Sequence, residues 1–166
     1  MVIRPATPRD AEGIREVHLK AFPTAAEADL VRELEDDGDV VISLVAEDDA
    51  LVGHALFSRM HADADLRPIR ALGLGPVAVT PDRQSRGLGA ALIREGLERA
   101  RSVDTDLVFV LGEPGYYRRF GFEASVAAPF ASPYAGPYFQ AVAVSRQETP
   151  AISGRAEYAP AFARLK

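Results

Sequence analysis

A single α/β domain, residues 1–166, with helices packed on one mixed sheet, is what the periodicities of this chain predict. Three observations carry the expectation. Apolar residues recur at helical spacing in three stretches and take strand-like runs or alternation in several others. Hydrophobic residues make up 48% of the chain, enough to fill one core at this length. No repeat, low-complexity tract or linker-like stretch divides it.

The elements follow in order. Val2 to Pro5 opens as a short strand. Thr7-Pro8-Arg9-Asp10 then starts a helix: Thr7 caps it, Pro8 takes the first helical position, and Asp10 sits near the positive end of the dipole. Ala11, Ile14, Val17, His18 and Ala21 form its inward stripe, and Pro23 stops it. A second helix covers 25–36, with Ala26, Leu30, Val31 and Leu34 inward and Gly38 at its end. VVISLVAE and LVGHALFS flank the acidic turn Asp48-Asp49-Ala50 as two strands of a hairpin. ALGLGPVAV is another strand, and the helix after it buries Leu88, Leu92, Ile93, Leu97 and Ala100. DLVFVLG is a strand, YYRRFGF a short helical turn with a break, and FQAVAVS and the region of RAEYAPAF two last strands. The order is β-α-α-β-β-β-α-β-α-β-β.

Composition narrows the function classes. A net charge of −5 argues against broad nucleic-acid binding. The absence of cysteine excludes disulfides and thiolate chemistry. MVIRPATPRDAEG lacks the apolar core of a signal peptide, and no apolar run reaches the ~20 residues needed to span a bilayer. A cytoplasmic protein without membrane partners is expected. The three histidines and the acids show no ligand spacing, so no metal is expected. Arg83, Arg86, Arg94, Arg99 and Arg101 cluster around residues 83–101, with Arg118 and Arg119 downstream. Such a locus on an acidic protein suits an anionic small ligand, and equally a set of solvated helix faces.

Within that locus PDRQSRGLGAAL joins a strand to a helix. Glycines there let backbone N–H groups approach an anion at a helix N-terminus. A nucleotide P-loop needs Gly-Lys-Ser/Thr, which is absent. The dinucleotide fingerprint needs a third small residue where Leu92 stands. Gln84-Ser85-Arg86-Gly87-Leu88-Gly89 fits a third pattern, Gln/Arg-x-x-Gly-x-Gly/Ala. Before it lies Val77-Ala78-Val79-Thr80-Pro81. After the next strand comes Tyr116-Tyr117-Arg118-Arg119-Phe120-Gly121-Phe122, and IRPAT and Val52-Gly53-His54 complete the set. In these motifs, over residues 1 to about 123, the chain resembles the GNAT N-acetyltransferases, and most of all their YhbS-like bacterial branch.

The resemblance implies the acyl-CoA N-acyltransferase fold. That is a mostly antiparallel central sheet with helices on both faces and strands that splay at the coenzyme A cleft. It implies acetyl-CoA as co-substrate, a primary amine of a small molecule or a peptide as acceptor, and a homodimer as a common assembly. Gln84, Ser85, Arg86, Gly87, Leu88, Gly89 and Ala90 would hold the pyrophosphate, with Arg83 and Arg86 adding charge-assisted bonds. Val77, Ala78 and Val79 would run along the pantetheine arm, and a free amide there would polarise the thioester carbonyl. Tyr117 occupies the position of the family's general acid, which protonates the leaving thiolate. The base is not evident, because ALGLGPVAV lacks the acid that many members carry there. Glu27 is the first candidate, beside Glu113, His54 and His61, and water relayed through backbone groups would also suffice; His54 reads more readily as a satisfied core histidine. The stretch 127–137 and AFPTAAEADL, poor in charge, hint at a small or partly apolar acceptor, while the acidic hairpin turn suits a cationic one. A CoA-binding sensor without turnover and an NAD(P)-binding oxidoreductase are the rival readings.

Overall fold

The structure is a computed structural model, and it describes residues 1–145 and 151–165. Its strands are β1 (Val2–Pro5), β2 (Val40–Asp48), β3 (Ala50–Ala64), β4 (Arg67–Val79), β5 (Leu107–Leu111), β6 (Phe130–Ala131), β7 (Phe139–Ala143) and β8 (Gly154–Glu157). Its helices are α1 (Ala11–Ala21), α2 (Ala26–Asp36), α3 (Leu88–Ser102), and the one-turn α4 (Pro114–Tyr117) and α5 (Ala124–Ala127). Strands pair in the order β1-β2-β3-β4-β5-β7, with β8 on β3 and β6 on β8. The β4–β5 and β6–β8 pairs are parallel, whereas β1–β2, β2–β3, β3–β8 and β5–β7 are antiparallel. The mixed, mostly antiparallel sheet of the expectation is present.

The residues cluster into two compact units, each assembled from separated stretches of chain. The first comprises Met1–Ser58, Gly75–Gly96 and Pro160 onward. Here α1 and α2 bury Ile14, Val17, Leu30, Val31 and Leu34, largely the stripes that periodicity marks; Ala11 is exposed. Adjacent strand residues point to opposite faces, and β3 shows what each face meets. His54 contacts His18 of α1. A Cβ on its neighbour Gly53 would come within 3.0 Å of Leu92 of α3, and Gly96 of α3 lies against the Phe57 ring. Helices therefore cover both faces of β3 in this unit. The N-terminus of α1 is preceded by a 3-10 turn, Pro8–Asp10. The Thr7 backbone N–H donates to the Asp10 carboxylate at 2.7 Å, and Arg4 donates to both oxygens of that carboxylate.

The second unit comprises Arg59–Leu74 and Leu97–Ala159. Its core joins Met60, Phe109, Phe130, Phe139 and Ala141, with the Phe109 ring stacked on Phe139 and edge-on to Phe130. The β4–β5 ladder runs from Ala71 opposite Leu107 to Leu74 opposite Val110. Sequence reading ends β3 near Ser58 and starts β4 at Ala71; both strands are longer. They meet at a tight turn in which Asp65 and Leu66 take φ of 50° and 69°. The two-residue turns of hairpins need such angles and usually carry glycine or asparagine, so Asp-Leu gives no turn signal.

Candidate functional site

The glycine stretch occupies the turn between β4 and α3, inside the first unit. β4 ends at Val79, and Pro81–Arg83 forms one 3-10 turn. The Gln84 side chain then donates to Val79 O at 2.9 Å, closing the turn on itself. Ser85 and Gly87 take φ of 64° and 79°. Gly87 O accepts the Ala91 N–H at 3.0 Å. The amides of Leu88, Gly89 and Ala90 come earlier in the helix and have no carbonyl a turn behind them. They sit at the positive end of a 15-residue helix. A Cβ at Gly87 would meet no atom within 4 Å. Glycine is required there by its left-handed angle, and the space before it is open to a ligand. Ala78 is buried and Val77 and Val79 half-buried, so the strand leading into the turn is firmly seated.

The two loop arginines differ. Arg86 is exposed. Arg83 donates to the Asp48 carboxylate at 2.7 Å. That hydrogen bond holds Asp48 below the usual carboxylate range and raises Arg83. Arg83 is thus committed within the protein, which the expectation of a phosphate contact did not include. Asp48 lies 35 residues earlier, and no local pattern joins the two.

Tyr117, in the second unit, ends α4 just before a 3-10 turn and Gly121 at φ 93°. Its ring covers Gly112, where a Cβ would have no room, and meets Phe122 edge-on at 5.8 Å. Burial raises the phenol above its usual value, with a smaller push from Tyr116. It therefore stays protonated through neutral pH, as an acid must. Half-buried Tyr116 carries the exposed Arg119 guanidinium 4.6 Å above its ring, a packing role.

The proposed bases separate as well. His54 is fully buried. Its Nδ1 is 2.8 Å from His18 Nε2 and its Nε2 is 2.9 Å from Ser43 Oγ, so both nitrogens are occupied. It is the satisfied core histidine. His61 and Glu113 are exposed. Glu27 stands in the first turn of α2, in register with the buried stripe Leu30, Val31 and Leu34. One of its carboxylate oxygens is buried with no hydrogen-bond partner among the described residues. A pocket of about 340 Å³ in the second unit is lined by Ala124, Ala128, Gly136 and Phe139 among others, within and beside the charge-poor stretch 127–137. Among the described residues no three His, Asp or Glu gather as a metal site, and no helix is long and apolar enough to cross a membrane.

A sheet strand that delivers a glycine turn to a helix N-terminus, on this strand order, defines the class: an N-acyltransferase fold. The chain belongs to the GNAT acetyltransferase family, for the family model described as acetyltransferase (GNAT) domain matches residues 2–125. Two relatives from Escherichia coli strain K12, both described as uncharacterized N-acetyltransferases, agree. YjhQ is 42% identical over 117 residues, 69% of this chain, and YhbS is 37% identical over 125 residues, 74% of each chain. The match to YjhQ spans 65% of that relative, slightly under two thirds. Among solved structures, Escherichia coli YhbS in complex with CoA superposes with a TM-score of 0.89 at 31% identity, covering 99% of this chain and 93% of that one. A Brucella melitensis GNAT acetyltransferase in complex with acetyl-CoA gives 0.79 at 35% identity, covering 97% of each.

Proposed function

We propose that this protein is an N-acetyltransferase that moves the acetyl group of acetyl-CoA to a primary amine. One observation carries the reading. The helix N-terminus after β4 presents three amides without helical partners behind an open glycine turn, and relatives with this fold hold CoA and acetyl-CoA. Residues Gln84 to Ala90 hold the pyrophosphate through backbone N–H groups, with Arg86 adding charge. Val77, Ala78 and Val79 run beside the pantetheine arm. The amine attacks the thioester carbon, the carbonyl oxygen gathers charge against a backbone amide, and the C–S bond breaks. Tyr117 gives its proton to the departing thiolate. Glu27, with one buried oxygen unengaged, takes a proton from the bound ammonium so that a neutral amine attacks. The second proton that the nitrogen sheds as the amide forms returns the Tyr117 phenolate to the phenol. No metal takes part in this scheme. We take the whole chain as one functional domain, with the cytoplasm as its compartment.

Acetyl-CoA raises the melting temperature in this reading, since a ligand held by the native state alone stabilises it. No shift at saturating acetyl-CoA sinks it. Incubation with acetyl-CoA and a panel of amines then releases free thiol. Tyr117→Phe lowers that rate by about 100-fold, the lower end for loss of an acid catalyst, and leaves acetyl-CoA affinity in place. Unchanged turnover in that variant removes Tyr117 as the acid. Binding without thiol release for any amine transfers the assignment to a non-catalytic sensor.

A further inference from the structure

The ion pair between Arg83 and Asp48 ties two parts of the first unit that sequence reading keeps apart. Asp48 is the last residue of β2, at the tip of the β2–β3 hairpin, followed by Asp49 at φ 64°. Arg83 is the last residue of the 3-10 turn that leads into the glycine loop. Arg83 Nη1 donates to Asp48 Oδ2 at 2.7 Å, and Arg83 Nε lies 3.8 Å from Asp82 Oδ2. The Arg83 side chain is only 29% exposed, against 42% for Asp48. Two carboxylates therefore flank the charge of the arginine nearest the start of the loop.

A loop of this shape needs such a hold. Ser85 sits at a positive φ that a residue with a side chain adopts at a cost, and Gly87 follows two residues later. Three contacts fix the chain before these strained positions. Thr80 N–H donates to Val52 O at 2.9 Å, Gln84 Nε2 donates to Val79 O at 2.9 Å, and Arg83 reaches Asp48. The first two anchor the loop to its own strand and to β3. The third anchors it to the hairpin tip. A loop already fixed in its binding conformation loses less freedom when an anion arrives.

We infer that Asp48 is a positioning residue for the anion-binding loop, acting through Arg83, and that Arg83 is a strut rather than a phosphate contact. The inference rests on the reading of this loop as the pyrophosphate site of acetyl-CoA. The two roles of Arg83 make opposite predictions for Asp48. A strut loses its footing when Asp48 is neutralised, and the ligand binds more weakly. A phosphate contact restrained by Asp48 is released by the same change, and the ligand binds more tightly.

Calorimetric titration of CoA into the full chain decides it, with wild type, Asp48→Asn, Asp48→Glu, Arg83→Ala and the double variant Asp48→Asn with Arg83→Ala. The strut predicts about fivefold weaker binding in Asp48→Asn and in Arg83→Ala, the scale of one partly exposed ion pair. The double variant is no weaker than either single change, and Asp48→Glu recovers most of the loss. Tighter or unchanged binding in Asp48→Asn overturns the inference, as do losses that multiply in the double variant. Should Asp48→Asn not fold, Asp48→Ser removes the same charge and is read by the same two outcomes, weaker binding for the strut and tighter or unchanged binding against it. Failure of the wild-type chain to bind CoA is a separate outcome that removes the reading of the loop itself.

Discussion

His18 and His54 have no place in the proposed chemistry, yet they make the protein sensitive to acid. Burial holds His18 at about 4 and His54 at about 3, and His18 adds repulsion at His54 while the Asp10 charge opposes it. Both rings are therefore neutral at pH 7. One tautomer leaves only a lone pair, on His18 Nδ1, without a partner: His18 Nε2–H donates to His54 Nδ1, and His54 Nε2–H donates to Ser43 Oγ. An unfolded histidine titrates near 6.5. Between that value and the folded ones the unfolded chain binds more protons, so stability rises with pH there. The contribution is fully present above about pH 6.5 and is lost as pH falls to about 4 for His18 and about 3 for His54. Each ring contributes up to about 1.4 kcal/mol per pH unit inside that window. Denaturant melts across pH 4 to 8 give a plateau above pH 7 and a falling limb below 6.5. His54→Gln keeps a donor for Ser43 and removes one titrating ring, so its falling limb is shallower; an equal slope in the variant places the acid sensitivity elsewhere.

Helix α3 shows which part of an element is legible in the chain and which is not. Periodicity marks Leu88, Leu92, Ile93, Leu97 and Ala100 as its inward side, and all but the half-buried Leu97 are buried. What periodicity does not show is Gly96, whose missing side chain admits the Phe57 ring from β3. A large residue on a strand matched to a glycine on a helix is a tertiary fact, visible only once the two elements face each other. It also reverses an ordinary rule. Gly→Ala inside a helix usually stabilises by about 1 kcal/mol. At Gly96 the new methyl overlaps two ring carbons of a fully buried phenylalanine in a packed layer. Overpacking of that kind costs about 1–3 kcal/mol. Gly96→Ala is therefore destabilising despite its better helix propensity, and chemical denaturation reads the sign. A stabilised variant would show that Phe57 has a second rotamer to move into. The long arms of β3 and β4 escaped sequence reading for a related reason. Their turn is Asp65-Leu66, and Arg59, His61, Arg67 and Arg70 break up the apolar signal along them.

For the chain as a whole, the donor side of the candidate site is legible and its supports are not. Gln84 to Ala90 are contiguous, so their pattern survives in one dimension, while Asp48 is joined to them only by folding. The net charge adds a constraint that no single residue carries. The protein is formally −5, and CoA is itself a polyanion. At long range the net charges repel, and attraction begins near the amides of Leu88 to Ala90 and the arginines around them, the exposed Arg86 foremost. Salt shortens the reach of both terms, to about 10 Å at 0.1 M and about 3 Å at 1 M. The long-range repulsion is lost first, because the local contacts act within a few ångströms. A basic protein that captures an anion by steering shows an association rate that falls steeply with ionic strength. Here the association rate of CoA holds steady or rises between 0.05 and 0.3 M salt, and any weakening of affinity sits in the dissociation rate. Stopped-flow binding across that series measures both. A tenfold fall in the association rate would show instead that the arginines clustered between residues 83 and 119 outweigh the net charge and steer CoA from a distance.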